Sequence, residues 1–138
     1  MKETILDQLM KKQVRLVSDE PVTLHTMVFS DTNLDPHSPA TYYVVNKETQ
    51  EIIQTVTFQH GPISSDNGLN GCFNEDLMLM TIDRLEHFQN SQFKCEENAK
   101  AIEYLKLAIQ SMNARTKRRL RAGIEGTYKT DETEGHNN

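Results

Sequence analysis

Tryptophan is absent from this 138-residue sequence, cysteine occurs twice, and only 36% of the residues are hydrophobic. So thin an apolar supply limits a chain of this size to a small core of its own. Two resolutions are open: disordered ends, or a core completed by a second copy of the chain. No run of about 18 apolar residues occurs, which excludes a membrane-spanning helix. The N-terminal stretch, residues 1–13, is amphipathic and lacks the apolar core of a secretory signal. Cys72 and Cys95 are too few for a disulfide scaffold and suit a reducing cytosol. As small apolar groups they are expected to be buried free thiols.

Familiar catalytic patterns are missing as well. The five histidines (25, 37, 60, 87 and 136) occur at no ligand spacing, and neither cysteine belongs to a CxxC pair. Neither a metal nor a cofactor is therefore expected. The sequence contains no nucleophile elbow, phosphate loop or dinucleotide fingerprint. Glu86 and His87 suggest an acid–base pair, but adjacent helical residues point about 100° apart, so both read as surface residues. The expectation is a protein that is not an enzyme.

Against these absences stands an uneven charge distribution. The net charge is -5, yet residues 115–121 read Arg-Thr-Lys-Arg-Arg-Leu-Arg, five cations in seven positions. A nucleic-acid binder usually presents a basic domain rather than one basic patch. The run suits a compact anion as well as a polymer, or a helix end answering its own dipole. Arg115 and Arg119 share one helical face at i,i+4 spacing, which suits a bidentate grip on phosphate or pyrophosphate. Lys117, Arg118 and Arg121 point elsewhere and read as solvated.

Periodicity outlines an α+β chain. Thr4 to Lys12 carries Ile5, Leu6, Leu9 and Met10 at helical spacing. Val22–Phe29, Tyr42–Val45 and Ile52–Phe58 are β-rich, the last following a turn-like Asn46-Lys-Glu-Thr49. Residues 30–40, with Asn33, Asp35, Pro36 and Pro39, read as an irregular loop. A small antiparallel sheet is expected. Gly61-Pro62 and Asn67-Gly68-Leu-Asn70-Gly71 mark a loop rich in residues that tolerate positive φ.

Asn74 is the expected N-cap of a helix whose stripe is Leu77, Met78, Ile82, Leu85 and Phe88. Asn90-Ser91 breaks it. A second helix is expected from about Lys94 to Arg121, with Ile102, Leu105, Ile109, Met112 and Leu120 along one seam. Ala99, Tyr104, Leu107, Ala108 and Ala114 give it a second apolar face, available to a partner. Gly123 and Gly126 stop it, and residues 129–138 are polar and expected to be disordered. The organisation is thus one domain over 1–128, with helix and strands (1–58), loop (59–73), helical hairpin (74–122) and a tail.

The run from Phe58 to Thr127 resembles a known family. Its landmarks are Phe58-Gln-His-Gly-Pro-Ile63, Asn70-Gly71, Asn74-Glu-Asp-Leu77, Asp83-Arg-Leu85, Phe88-Gln89, Phe93-Lys-Cys-Glu-Glu-Asn-Ala99, Arg115-Thr116 and Gly123-Ile-Glu-Gly-Thr127. These are similar to the helical-hairpin domain of phage anti-defence sponges, and the segment in front resembles the first Thoeris anti-defence family. The resemblance implies sequestration of cyclic ADP-ribose isomers, the Thoeris immune signals, without degradation. It implies homodimers assembling to a hexamer, in which some members also bind cyclic trinucleotides of CBASS defence in separate pockets. It also implies action in the cytoplasm of the infected bacterial host. The family's signal-binding positions fall on Phe88, Asn98, Arg115 and Arg119. Three departures stand out: a longer, less basic loop at Ser64-Ser-Asp-Asn67, Cys72-Phe73 before the N-cap, and Ala122 where an arginine is common.

Asn98 and Arg115 lie 17 positions apart on one helix, about 25 Å. One chain cannot clasp a small cyclic nucleotide with both. An antiparallel two-fold pairing would bring one chain's hairpin turn near the other's basic end, making two equivalent pockets. Phe88 would stack on adenine, Asn98 would bond a ribose hydroxyl or base edge, and the arginines would grip the pyrophosphate. Such contacts sum to roughly 5–10 kcal/mol, short of the about 12 kcal/mol of nanomolar binding. Ligand burial and closure of a lid formed by Asn67, Gly68, Asn70 and Gly71 would supply the remainder. The alternative is a small nucleic-acid-binding phage regulator using the basic helix end, with steep salt dependence. A third reading is an enzyme that cleaves the same signal.

Overall fold

The computed structural model describes residues 5, 14–20, 22–32, 39–64 and 68–123. The chain divides into two compact units, Met1–His60 and Gly61–Asn138. The first is built on a four-stranded antiparallel meander, β1 (Val14–Leu16), β2 (Thr26–Asp31), β3 (Thr41–Asn46) and β4 (Ile52–Thr57), in sequential order. The second contains two helices, α1 (Asn74–Gln89) and α2 (Glu96–Ala122). The expected α+β class, a small antiparallel sheet followed by a helical hairpin, is the one observed.

Alternation decides which face of the sheet is buried. Phe29 pairs with Tyr43 and Met27 with Val45 across β2 and β3, so these four side chains share one face. Phe29, Tyr43 and Val45 are buried together with Ile5, and Val14, Leu16, Met27 and Ile52 pack around them. Ile5 is helical, and its backbone N–H donates to the Gln50 carbonyl at 2.9 Å. The rest of the expected 4–12 helix lies outside the described residues. Tyr43 keeps its hydroxyl satisfied by donating to Asp31 Oδ2 at 2.8 Å.

The β3–β4 connection is the predicted one. Asn46 Oδ1 accepts from the backbone N–H groups of Glu48 (2.9 Å) and Thr49 (3.1 Å). This Asx-type turn closes with Gln50 at φ 66°. The predicted first long strand starts late: the ladder begins at Thr26 rather than Val22, and Val22 and Leu24 are exposed. The reason is local. Thr23 Oγ1 accepts from the Thr26 N–H at 3.1 Å, and the two threonine hydroxyls also bond, folding residues 23–26 into a turn. At its other end β2 runs on to Asp31, inside the expected loop, of which residues 33–38 lie outside the described residues.

The helix boundaries carry two further corrections. Phe73, not Asn74, is the N-cap residue of α1, and Asn74 is its first helical residue. The Phe73 N–H donates to Asp76 Oδ2 at 2.8 Å, so the acidic first turn does the capping from inside the helix. Cys95 is the N-cap of α2, its Sγ accepting from the Asn98 N–H at 3.4 Å. That position at a chain reversal leaves Cys95 exposed, and Cys72 is half-buried, so the cysteines are not the buried thiols expected. Gly123 ends α2 in the left-handed region (φ 73°, ψ 20°), as foreseen. Gly126 and the 129–138 tail lie outside the described residues.

Along α1, Leu77, Met78, Leu85 and Phe88 are half-buried and Ile82 is buried, which is the predicted stripe. On α2, Ile102, Leu105, Ile109 and Met112 are half-buried, but Leu120 is exposed. Helix α1 has 16 residues and α2 has 27, about 16 Å longer, and at the far end of α2 it is Arg119 that is buried rather than Leu120. Lys106 Nζ bridges to Glu86 Oε1 across the pair at 3.2 Å.

Candidate functional site

The hairpin turn is held by side chains that bond to backbone. The Gln89 amide forms a two-way clasp on Cys95: Nε2 donates to the Cys95 carbonyl and Oε1 accepts from the Cys95 N–H, both at 2.9 Å. Ser91 Oγ donates to the Phe88 carbonyl at 2.7 Å and accepts from the Phe93 N–H at 3.1 Å. These bonds replace the helical ladder where the chain reverses. They also fix what the turn presents. Phe88, half-buried, meets Phe93 edge to face with centroids 6.4 Å apart. The Arg84 guanidinium lies 5.0 Å from the Phe88 ring centroid, a cation–π distance. Asn98, half-buried, stands in the first turn of α2, and its backbone is occupied in the Cys95 cap.

At the far end of α2 the arginines differ in exposure. Arg115 is exposed, whereas Arg119 is buried at 4%. Arg115, Arg118 and Arg119 each make interactions within the chain. Lys117, Arg118 and Arg121 are exposed. The helix between the two ends is continuous from Glu96 to Ala122. Asn98 and Arg115 are therefore about 25 Å apart along a rigid axis, and a single copy of α2 does not bring them together. Phe88 and Asn98 form one group at the turn, and Arg115 and Arg119 form another at the basic end.

Known proteins share this segment. Residues 50–117 match the family model of the Acb2/Tad1 hairpin domain. A curated relative, Thoeris anti-defense 1 of Bacillus phage SBSphiJ7, is 50% identical over 76 residues, covering 55% of this chain and 53% of the relative. Residues 50–117 of this chain are thus similar to an Acb2/Tad1 hairpin domain. The resemblance to the Thoeris anti-defence family, read above from motifs, is borne out. The chain spans about half the length of that relative.

The matched stretch contains Phe88, Asn98 and Arg115, while Arg119 lies just beyond its last residue. Of the expected lid, Asn67 lies outside the described residues; Gly68 adopts φ 61°, Asn70 is exposed and Gly71 half-buried. Glu86 and His87 diverge as expected, Glu86 to Lys106 and His87 Nε2 toward Asp83 Oδ2 at 3.8 Å. Sequence reasoning missed Arg84 and Phe93. Arg84 precedes Phe88 by one helical turn, an i,i+4 spacing that signals stacking on the aromatic face. Phe93 carried no signal beyond its place in the motif.

Proposed function

We propose that this protein binds and sequesters a cyclic ADP-ribose-type immune signal without degrading it, serving a phage as a Thoeris anti-defence protein. The carrying observation is the unbroken α2, which holds Asn98 and the arginine group at opposite ends of one rod. Two copies paired antiparallel would build two equivalent pockets, each with Phe88 and Asn98 from one protomer and Arg115 and Arg119 from the other. Phe88 supplies a stacking surface, Asn98 a combined donor and acceptor, and the guanidinium groups a bidentate grip on pyrophosphate. The second apolar face of α2 supports the pairing: Tyr104 and Leu107 are exposed in the single chain. Such dimers would assemble to a hexamer and act in the cytoplasm of the infected host, with cyclic trinucleotides as a second ligand class.

The experiment mixes the protein with a TIR-made cyclic ADP-ribose isomer, and in parallel with a cyclic trinucleotide. Unbound ligand is removed, the protein is heat-denatured, and the released small molecule is identified. Intact cyclic ADP-ribose is the expected product. A cleaved product would replace sequestration by catalysis. Retention of DNA alone, weakening steeply with salt, would favour a regulator that uses the basic run at 115–121.

A further inference from the structure

The two phenyl rings at the hairpin turn stand in different circumstances. One face of Phe88 is taken by the Arg84 guanidinium at 5.0 Å, and the residue is half-buried. Phe93 is 64% exposed and touches Phe88 edge to face, with 81° between the ring planes. Its backbone is pinned on both sides, by Ser91 Oγ at the Phe93 N–H and by the Gln89 clasp at Cys95. An aromatic ring on so constrained a turn loses little freedom when a ligand covers it. The open aromatic surface at this end of the hairpin belongs mainly to Phe93.

We propose that Phe93 is a second aromatic contact of the signal-binding pocket, the ring whose open face takes the purine base, with Arg84 as the positioning residue that holds Phe88 against it. This rests on the nucleotide-binding reading above, adds a contact outside its four positions and moves the base stack from Phe88 to Phe93, since ring planes 81° apart cannot both lie flat on one base. The class recognised is a planar purine. A phenyl face offers apolar stacking, and Phe93 and Asn98 lie on either side of the Cys95 cap, so a stacked base has an amide close by in the sequence.

The absence of tryptophan makes the test direct. Phe93→Trp places the chain's single indole at the proposed contact, and cyclic ADP-ribose is the probe. The parent should bind by calorimetry, and Phe93→Trp should bind within about threefold of it, stacking being tolerant of the aromatic group used. Its emission should be quenched as ligand saturates the protein. Phe93→Leu should weaken binding about 5- to 150-fold, the range expected for a lost base stack. Arg84→Gln should weaken binding while Arg84→Lys restores it, because the cation over the Phe88 ring returns. Phe93→Leu binding within twofold of the parent, or constant Phe93→Trp emission at saturation, overturns the role of Phe93. Equal binding by Arg84→Gln and the parent overturns the role of Arg84. A parent that does not bind the probe overturns the nucleotide-binding reading itself, and this contact with it.

Discussion

Splitting the proposed pocket between two chains makes complementation quantitative. Asn98→Ala removes the amide at the turn end of α2, and Arg115→Ala removes the exposed guanidinium at its other end. Arg115 is the better choice than Arg119, whose burial makes its removal a change in packing as well as charge. Each lost contact should cost about 1.5–3 kcal/mol if the bond is charge-assisted or desolvated, or about 10- to 150-fold in affinity. In either pure variant every pocket carries one lesion.

After the two variants are mixed and exchange subunits, half of the dimers are hybrids. In a hybrid one pocket takes both lesions and the other takes none, because its turn comes from the Arg115→Ala protomer and its arginines from the Asn98→Ala protomer. About one quarter of all pockets should then regain parental affinity. Equilibrium dialysis near the parental Kd reads that fraction against pure variants with almost no occupancy. A mass-tagged protomer verifies that exchange has occurred. With exchange verified, no recovered sites would refute the cross-chain pocket, since a pocket built within one chain stays damaged in every hybrid.

Two smaller perturbations address the scaffold. Gln89→Met keeps the side chain's length but deletes both bonds of the clasp on Cys95, at about 1–3 kcal/mol for the two together. At fixed protein concentration the urea midpoint should fall by about 1 M, and an unchanged midpoint would show that the clasp does not hold the turn. Ser30→Ala should have the opposite sign: Ser30 is fully buried and its Oγ has no hydrogen-bond partner among the described residues, so removing it should leave stability unchanged or raise it by about 1 kcal/mol. A loss larger than about 1 kcal/mol in thermal denaturation would mean that the hydroxyl is bonded in solution.

How far the fold can be read from residues depends on whether the deciding interaction is periodic. The stripe from Leu77 to Phe88 is periodic, and it lies on the less exposed face of α1. Gly123 and the Asn46 turn are single-residue signals with a backbone mechanism, and both operate as expected. Threonine hydroxyls that fold residues 23–26 locally leave no trace in hydropathy, so the alternation from Val22 misplaced the strand start. Leu120 fits the α2 seam by spacing, yet the residue buried there is Arg119 beside it, an order that hydropathy along α2 does not contain. At the candidate site, the four positions came from motif resemblance rather than from periodicity. The burial of Arg119 and the stacking of Arg84 on Phe88 depend on side-chain placement that spacing suggests but does not decide.

The apolar shortage and the proposed pocket have a common physical root in the hairpin. Among its described residues Ile82, at 5% exposure, is the buried apolar side chain, while Leu79, Met80, Tyr104 and Leu107 remain half or more exposed. Covering such side chains is worth about 1–3 kcal/mol each, and a two-fold interface counts every one twice. A second copy would therefore supply stabilisation that the isolated hairpin lacks. In the proposed arrangement the same hairpin carries both ligand-binding groups, so assembly and binding would not be independent. A ligand that bridges the turn of one protomer and the arginines of the other binds the dimer and not the monomer. At 100 times its Kd it stabilises the pair by about 2.7 kcal/mol per site, and dilution that separates the protomers weakens binding in turn. In the proposed arrangement a small chain poor in apolar residues would couple capture of its ligand to its own assembly, through a helix too long to close a pocket alone.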